Sequence, residues 1–172
     1  SYTPSGQVRP AVAVDAAGNF VVVWSDYAQE SPLDHGIFGQ GFDPAGGPLG
    51  TEFHVNSFTT SHQQYPAVAA SGTNNFLVVW DSAGQDGSAR GIFGRRFTAG
   101  GLPAGSEFMV NTYTTGYQLV PAAATDSNGF FVVVWNGEGL SDSGGVFGQR
   151  FNPAGSTVGS EFRINSYTPS SQ

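Results

Sequence analysis

The sequence predicts an all-β chain of three tandem four-stranded antiparallel sheets. A tryptophan-bearing apolar run recurs at a fixed period, two other motifs recur with it in the same order, and glycine and proline punctuate the chain too often for helices. Trp24, Trp80 and Trp135 stand 56 and 55 residues apart, and Asn56, Asn111 and Asn165 stand 55 and 54 apart. FVVVW at 20–24 returns as FLVVW at 76–80 and FVVVW at 131–135. GIFGQGF at 36–42 returns as GIFGRRF at 91–97 and GVFGQRF at 145–151, and TEFHVN at 51–56 as SEFMVN at 106–111 and SEFRIN at 160–165. Matched blocks in one order at one spacing mark a repeat architecture. The repeat divides the chain into units at 1–56, 57–111 and 112–165, with 166–172 (SYTPSSQ) repeating the opening SYTPSGQ at 1–7.

Each unit reads as four strands. The first is short and small, at 10–14, 66–70 and 121–125, and opens on proline, which a strand tolerates at its first residue. Tight turns follow: DAAGN, SGTNN and DSNGF, of which SGTNN lacks the Asp and Gly of the others. The second strand is the Phe-Val-Val-Val-Trp run, apolar at nearly every position and so buried on both faces. The third alternates, with Phe38, Gln40 and Phe42 on one side and Ile37, Gly39 and Gly41 on the other. The fourth is EFxVN or EFxIN. With 25 glycines and 10 prolines, no stretch sustains a helical apolar period.

A sheet that is apolar on both faces must be packed between like sheets, which is how the blades of a β-propeller stack. PAVAVDAAGNFVVVW followed by GIFGQGFDPAGG resembles the blade pattern of NHL-type propellers. The whole chain is similar to repeat arrays in large secreted or surface proteins of bacteria. The resemblance implies the propeller fold and an extracellular or cell-surface setting, and implies no activity. It also implies that the PAVAV strand lines a central channel and the EFxVN strand lies at the rim. Trp24, Trp80 and Trp135 then fill the space between blades, each contributing about 2–3 kcal/mol by area.

Three blades are fewer than the four to eight of known propellers. The sequence therefore predicts a cover for the open faces, either further copies of itself, the favoured reading, or the other blades of a longer array. Two copies would give six blades and three would give nine; the twofold arrangement is favoured as the commoner symmetry. The chain begins at Ser1, not Met, and reads as a processed or excised product, with the duplicated SYTPS(G/S)Q pointing to boundaries cut from a longer repeat.

Composition excludes several classes. The net charge is −7, and all six basic residues are arginine, so there is no basic stripe for nucleic acid and no attraction to anionic membranes. There is no cysteine, hence no disulfide framework and no thiolate metal site. No apolar run approaches the ~18 residues of a membrane helix. No signal peptide, nucleophile elbow, phosphate loop or HExxH motif occurs.

The recurrent polar residues are the candidate ligand groups: Glu52, Glu107 and Glu161 before the fourth-strand Phe, with Asn56, Asn111, Asn165, Gln63 and Gln118 around the connections between units. A residue needed in every blade is usually there for the blade, so a structural role is favoured for all of them. Asp34, Asp86 and Asp142 lie in loops between the second and third strands. GQDGS at 84–88 lacks the alternate oxygen ligands and distal Glu of a calcium loop, so these read as solvated carboxylates. His35, His54 and His62 have no equivalents in the other units and read as surface residues. No metal or cofactor is expected. A catalytic site breaks internal symmetry, and the visible polar differences fall in loops. The sequence thus predicts a non-catalytic, self-assembling module with a structural and interaction role. The alternative is a carbohydrate-binding propeller with sites at blade junctions, suggested by the amides, the glutamates and aromatics such as Tyr2, Phe58, Tyr113 and Tyr167.

Overall fold

A computed structural model describes residues 6–31, 34–72, 74–139 and 142–166. Every named element is a strand, and the strands form three four-stranded antiparallel sheets. The first sheet comprises β1 (Gln7–Val14), β2 (Phe20–Ser31), β3 (Asp34–Phe42) and β4 (Pro48–His54). The second comprises β5 (Gln63–Ala70), β6 (Phe76–Ala83), β7 (Arg90–Phe97) and β8 (Phe108–Met109). The third comprises β9 (Gln118–Thr125), β10 (Phe131–Gly139), β11 (Asp142–Phe151) and β12 (Phe162–Arg163). Each runs in simple up-and-down order. The first strands pack side by side, β5 against both β1 and β9, so they form the inner edge from which the sheets fan out. The fourth strands lie at the outer rim. These are the blades of a β-propeller.

The sheets meet face to face through two apolar junctions. Val21, Val23, Ile37 and Val55 of the first sheet meet Phe76, Val78, Trp80, Phe93 and Phe97 of the second. Leu77, Val79, Ile92 and Val110 of the second meet Phe131, Val133, Trp135, Phe147 and Phe151 of the third. Each junction therefore sets one aliphatic face against one aromatic face. Strand alternation sends odd and even residues of β6 to opposite neighbours, so Trp80 and Val79 are both fully buried. That is why the Phe-Val-Val-Val-Trp run is continuously apolar. Rings add to each junction: Phe53 packs on Phe97 with centroids 5.1 Å apart, and Phe108 on Phe151 at 5.6 Å.

Two local features differ from the expectation. The inner strands begin three residues before the proline, at Gln7, Gln63 and Gln118. Each strand carries a register shift just there, between Val8 and Ala11 and between Gln64 and Ala67, with the same break opposite Val134–Asn136 in the third sheet. The residue before each proline takes the left-handed conformation: Arg9 at φ 55°, Tyr65 at 51° and Val120 at 51°. The bulge lets the strand pass a residue that cannot donate a ladder bond. The second hairpin, SGTNN, closes like the other two but turns differently: Gly72 is also left-handed at φ 59°, and Asn74 N donates to Asp15 Oδ2 of the first sheet at 2.7 Å. Ser71 N–H donates to Asn75 O at 2.9 Å, as Asp15 does to Asn19 at 2.8 Å. Asn74 takes the left-handed place of the usual glycine with φ 56°, a conformation Asn tolerates.

Trp80→Ala would empty the first junction. It should lower the unfolding free energy by about 3–5 kcal/mol, measured by urea denaturation followed by far-UV circular dichroism.

Candidate functional site at the inner ends of the sheets

The recurrent polar residues hold sheets together. Asn56 Oδ1 accepts from Ile37 N at 2.7 Å, while its Nδ2 donates to Phe58 O at 2.9 Å and to Gln63 Oε1 at 3.3 Å. Asn111 repeats the set with Ile92 N, Tyr113 O and Gln118 Oε1. Asn165 accepts from Val146 N at 2.8 Å. Gln63 and Gln118 are fully buried and donate to Thr60 O and Thr115 O in the connections. These amides are committed to backbone and to one another. Two of the glutamates reach across junctions, and Glu52 bonds within its own sheet. Glu107 of the second sheet accepts from Ser57 N at 2.6 Å and Ser57 Oγ at 2.9 Å, just beyond the first sheet. Glu161 does the same with Thr112 N and Oγ1, at 2.6 and 2.8 Å. Glu52 accepts from Gln29 Nε2 at 2.7 Å. Tyr2, Tyr167 and the tail beyond Ser166 lie outside the described residues, as does the side chain of Asp142. Asp86 Oδ1 accepts from Ser88 N within its own turn.

The residues that differ between units converge instead at one end of the inner strands. The three bulges present Arg9, Tyr65 and Val120 at equivalent positions. The Arg9 guanidinium lies 3.8 Å from the centre of the Tyr65 ring, and its Nη2 donates to Tyr65 Oη at 3.1 Å. Next to Tyr65, Gln64 Nε2 donates to His35 Nδ1. His35 in turn lies between Tyr27, with centroids 4.1 Å apart, and His62, at 4.3 Å. At the second junction the same places hold Arg90, in the position of His35, and Tyr117, in the position of His62. Arg90 and Tyr117 form a parallel bridge. Arg90 makes an ion pair with Asp81, which also accepts from Val120 N at 3.3 Å. Two histidines with no sequence equivalents are thus ring-to-ring neighbours. The third, His54, is stacked on Phe38 toward the rim.

The electrostatics fit a crowded, partly desolvated mouth. Burial, then the charges of His62, Arg9 and Arg90, hold His35 below its ordinary value of 6.5. Burial pushes the Asp81 carboxyl up, and Arg90 opposes that shift. Arg9 forms no ion pair among the described residues, and its Nη1, the Nδ1 of His62 and the Oγ of Ser25 are buried without a hydrogen-bond partner there. Unspent donors of this kind, beside half-exposed aromatic rings, are what a polar ligand requires. Three left-handed residues other than glycine mark the same spot, and such backbone gathers at binding sites. The sequence signal was that the repeats differ at these places, among them the residue before each proline: Arg9, Tyr65 and Val120.

No family model matches the chain, and no curated protein does. A solved structure does: the endo-arabinase from Bacteroides thetaiotaomicron, at TM-score 0.54 and 11% identity. The match covers 94% of this chain and 61% of that one, so this chain spans about three fifths of its length. At that identity the likeness establishes the fold. It also corrects an expectation. The non-catalytic structural module rested on an absence of symmetry-breaking chemistry. A solved chain of this architecture is an enzyme, and the inner ends of the sheets here do break the symmetry. That reading is set aside.

His35 should titrate below 6.5 by nuclear magnetic resonance, and Arg9→Gln should raise its midpoint by removing a like charge. The sign for stability follows. As pH falls below 6.5 the unfolded chain binds a proton before folded His35 does, so stability declines through that window. His35→Gln should flatten the decline.

Proposed function

We propose that the chain recognises carbohydrate at the inner-strand ends where Arg9, Tyr65, His35, His62, Arg90 and Tyr117 converge. The observation that carries this reading is the pairing of aromatic rings with unspent donors. Tyr65 and the 53%-exposed Tyr117 offer faces to a sugar's C–H groups. The half-buried Arg9 and His62 side chains offer hydrogen bonds to its hydroxyls. The likeness in fold to an endo-arabinase supports a saccharide over other polar ligands. Arg9 has no carboxylate of its own among the described residues, so sugars carrying an acidic group are the favoured class within this reading. The repeated glutamates and amides act as the frame, and the site lies at positions where the repeats differ. An extracellular or cell-surface setting, where polymeric saccharides are met, is proposed with it from the resemblance of the repeat pattern; nucleic acid and membrane are not proposed as partners of a chain of net charge −7.

A glycan array followed by titration calorimetry on the best ligand tests this. Tyr65→Ala and Arg9→Ala should each weaken binding by roughly tenfold, equivalent to about 1.4 kcal/mol, while Met109→Ala at the rim should leave it unchanged. An array without signal, or a ligand indifferent to both inner substitutions, would overturn the proposal.

A further inference from the structure

The two internal junctions leave one face of each kind unmatched. The aliphatic face that is 0–3% exposed in the first and second sheets recurs in the third as Val132, Val134, Val146 and Ile164, and there Ile164 is 50% exposed. The aromatic face buried in the second and third sheets recurs in the first as Phe20, Val22, Trp24, Phe38 and Phe42. Beside it on β1, Val12 and Val14 are 60% and 61% exposed. An aliphatic face and an aromatic face are the two halves of the joint already seen twice in this chain.

The polar parts of that joint are also present at the two outer faces. Glu107 and Glu161 each hold the first residue past the preceding sheet's Asn. Glu52 is the same residue in the first sheet, and exposed Ser166 is the same acceptor's donor past Asn165. Arg96 of the second sheet donates to Pro153 O and, at 3.1 Å, to Ala154 O of the third. Arg150 is its exposed equivalent in the third sheet, and Pro44 and Ala45 are the equivalents of Pro153 and Ala154 in the first. Phe53 and Phe108 each lie on the phenylalanine of the next sheet's third strand. Phe162, 39% exposed, is the third of that series. The first sheet's Phe20–Phe42 stack, with centroids 4.9 Å apart, is the surface it would meet.

We propose that the third sheet of one copy docks on the first sheet of a second copy, head to tail, repeating the internal junction. Trp24 then enters the cover of Val132, Val134, Val146 and Ile164; Glu52 takes Ser166; Arg150 takes the carbonyls of Pro44 and Ala45; and Phe162 lies on Phe42. The junction is heterologous, since the two faces differ, and so it is distinguishable from like-on-like pairing.

Sedimentation velocity on the full chain tests this with two face-blocking variants, Trp24→Asp and Ile164→Asp, each first shown folded by far-UV circular dichroism. The wild-type chain should sediment as more than one 17.9 kDa copy. Each variant alone should remain a single copy, and an equimolar mixture should form a species of two, because each supplies the face the other lacks. Glu52→Gln or Arg150→Ala in the wild-type background should weaken association by at least about tenfold. If Trp24→Asp fails to fold, Val12→Asp, an exposed position beside the same face, takes its place. A wild-type chain that stays single at high micromolar concentration, a blocked variant that assembles alone, or a mixture that does not pair would each overturn the proposal.

Discussion

The covering of one apolar sheet face by another is the interaction on which the rest of the structure depends. A four-stranded sheet with Phe, Val and Trp on both sides has no stable form in water by itself, since burying each such side chain contributes about 1.5–3 kcal/mol. The second sheet shows the satisfied case, with Trp80 covered on one side and Val79 on the other. The recurring polar contacts are secondary to it. Asn56 and Asn111 tie the connection between sheets to the third strand, and Glu107 and Glu161 tie it to the next sheet. They orient a junction whose free energy comes from apolar area.

The same constraint places the candidate site. Sheets packed on both faces and splayed at the rim must crowd at their inner edges, which is why the inner strands carry Ala11, Ala13, Ala67, Ala69, Ala122 and Ala124. Beyond that stretch the backbone turns larger side chains away from the edge. The bulge before each proline does this, sending Arg9, Tyr65 and Val120 to one end of the inner edge with left-handed φ. The fold thus sets Ala11, Ala13, Ala67 and Ala69 in the packed junctions and leaves its variable residues at the open end. Function sits where packing no longer dictates the residue.

Much of this was legible in the sequence. The spacing of the tryptophans and the two-sided apolar run of β6 predicted the number and stacking of the sheets, because periodicity and burial are written locally. The recurrence of Asn56, Asn111, Gln63 and Gln118 around the connections was legible for the same reason. The convergence of His35 with His62 was not. Those residues lie 27 positions apart in different units, and only the docking of two sheets brings their rings to 4.3 Å. The bulge was also missed. Proline at a strand opening was read as the strand's first residue, whereas the pairing begins three residues earlier and passes through a left-handed position that no local pattern announces.

Amide hydrogen exchange tests the central claim most directly, in the Trp24→Asp chain so that the outer aromatic face stays uncovered. The account predicts that amides of Phe76–Asp81 in the doubly covered sheet exchange most slowly, at the rate set by global unfolding, and outlast those of Phe20–Ser25. Equal or faster exchange in β6 would show that the sheets stand without their neighbours' faces, and would contradict it.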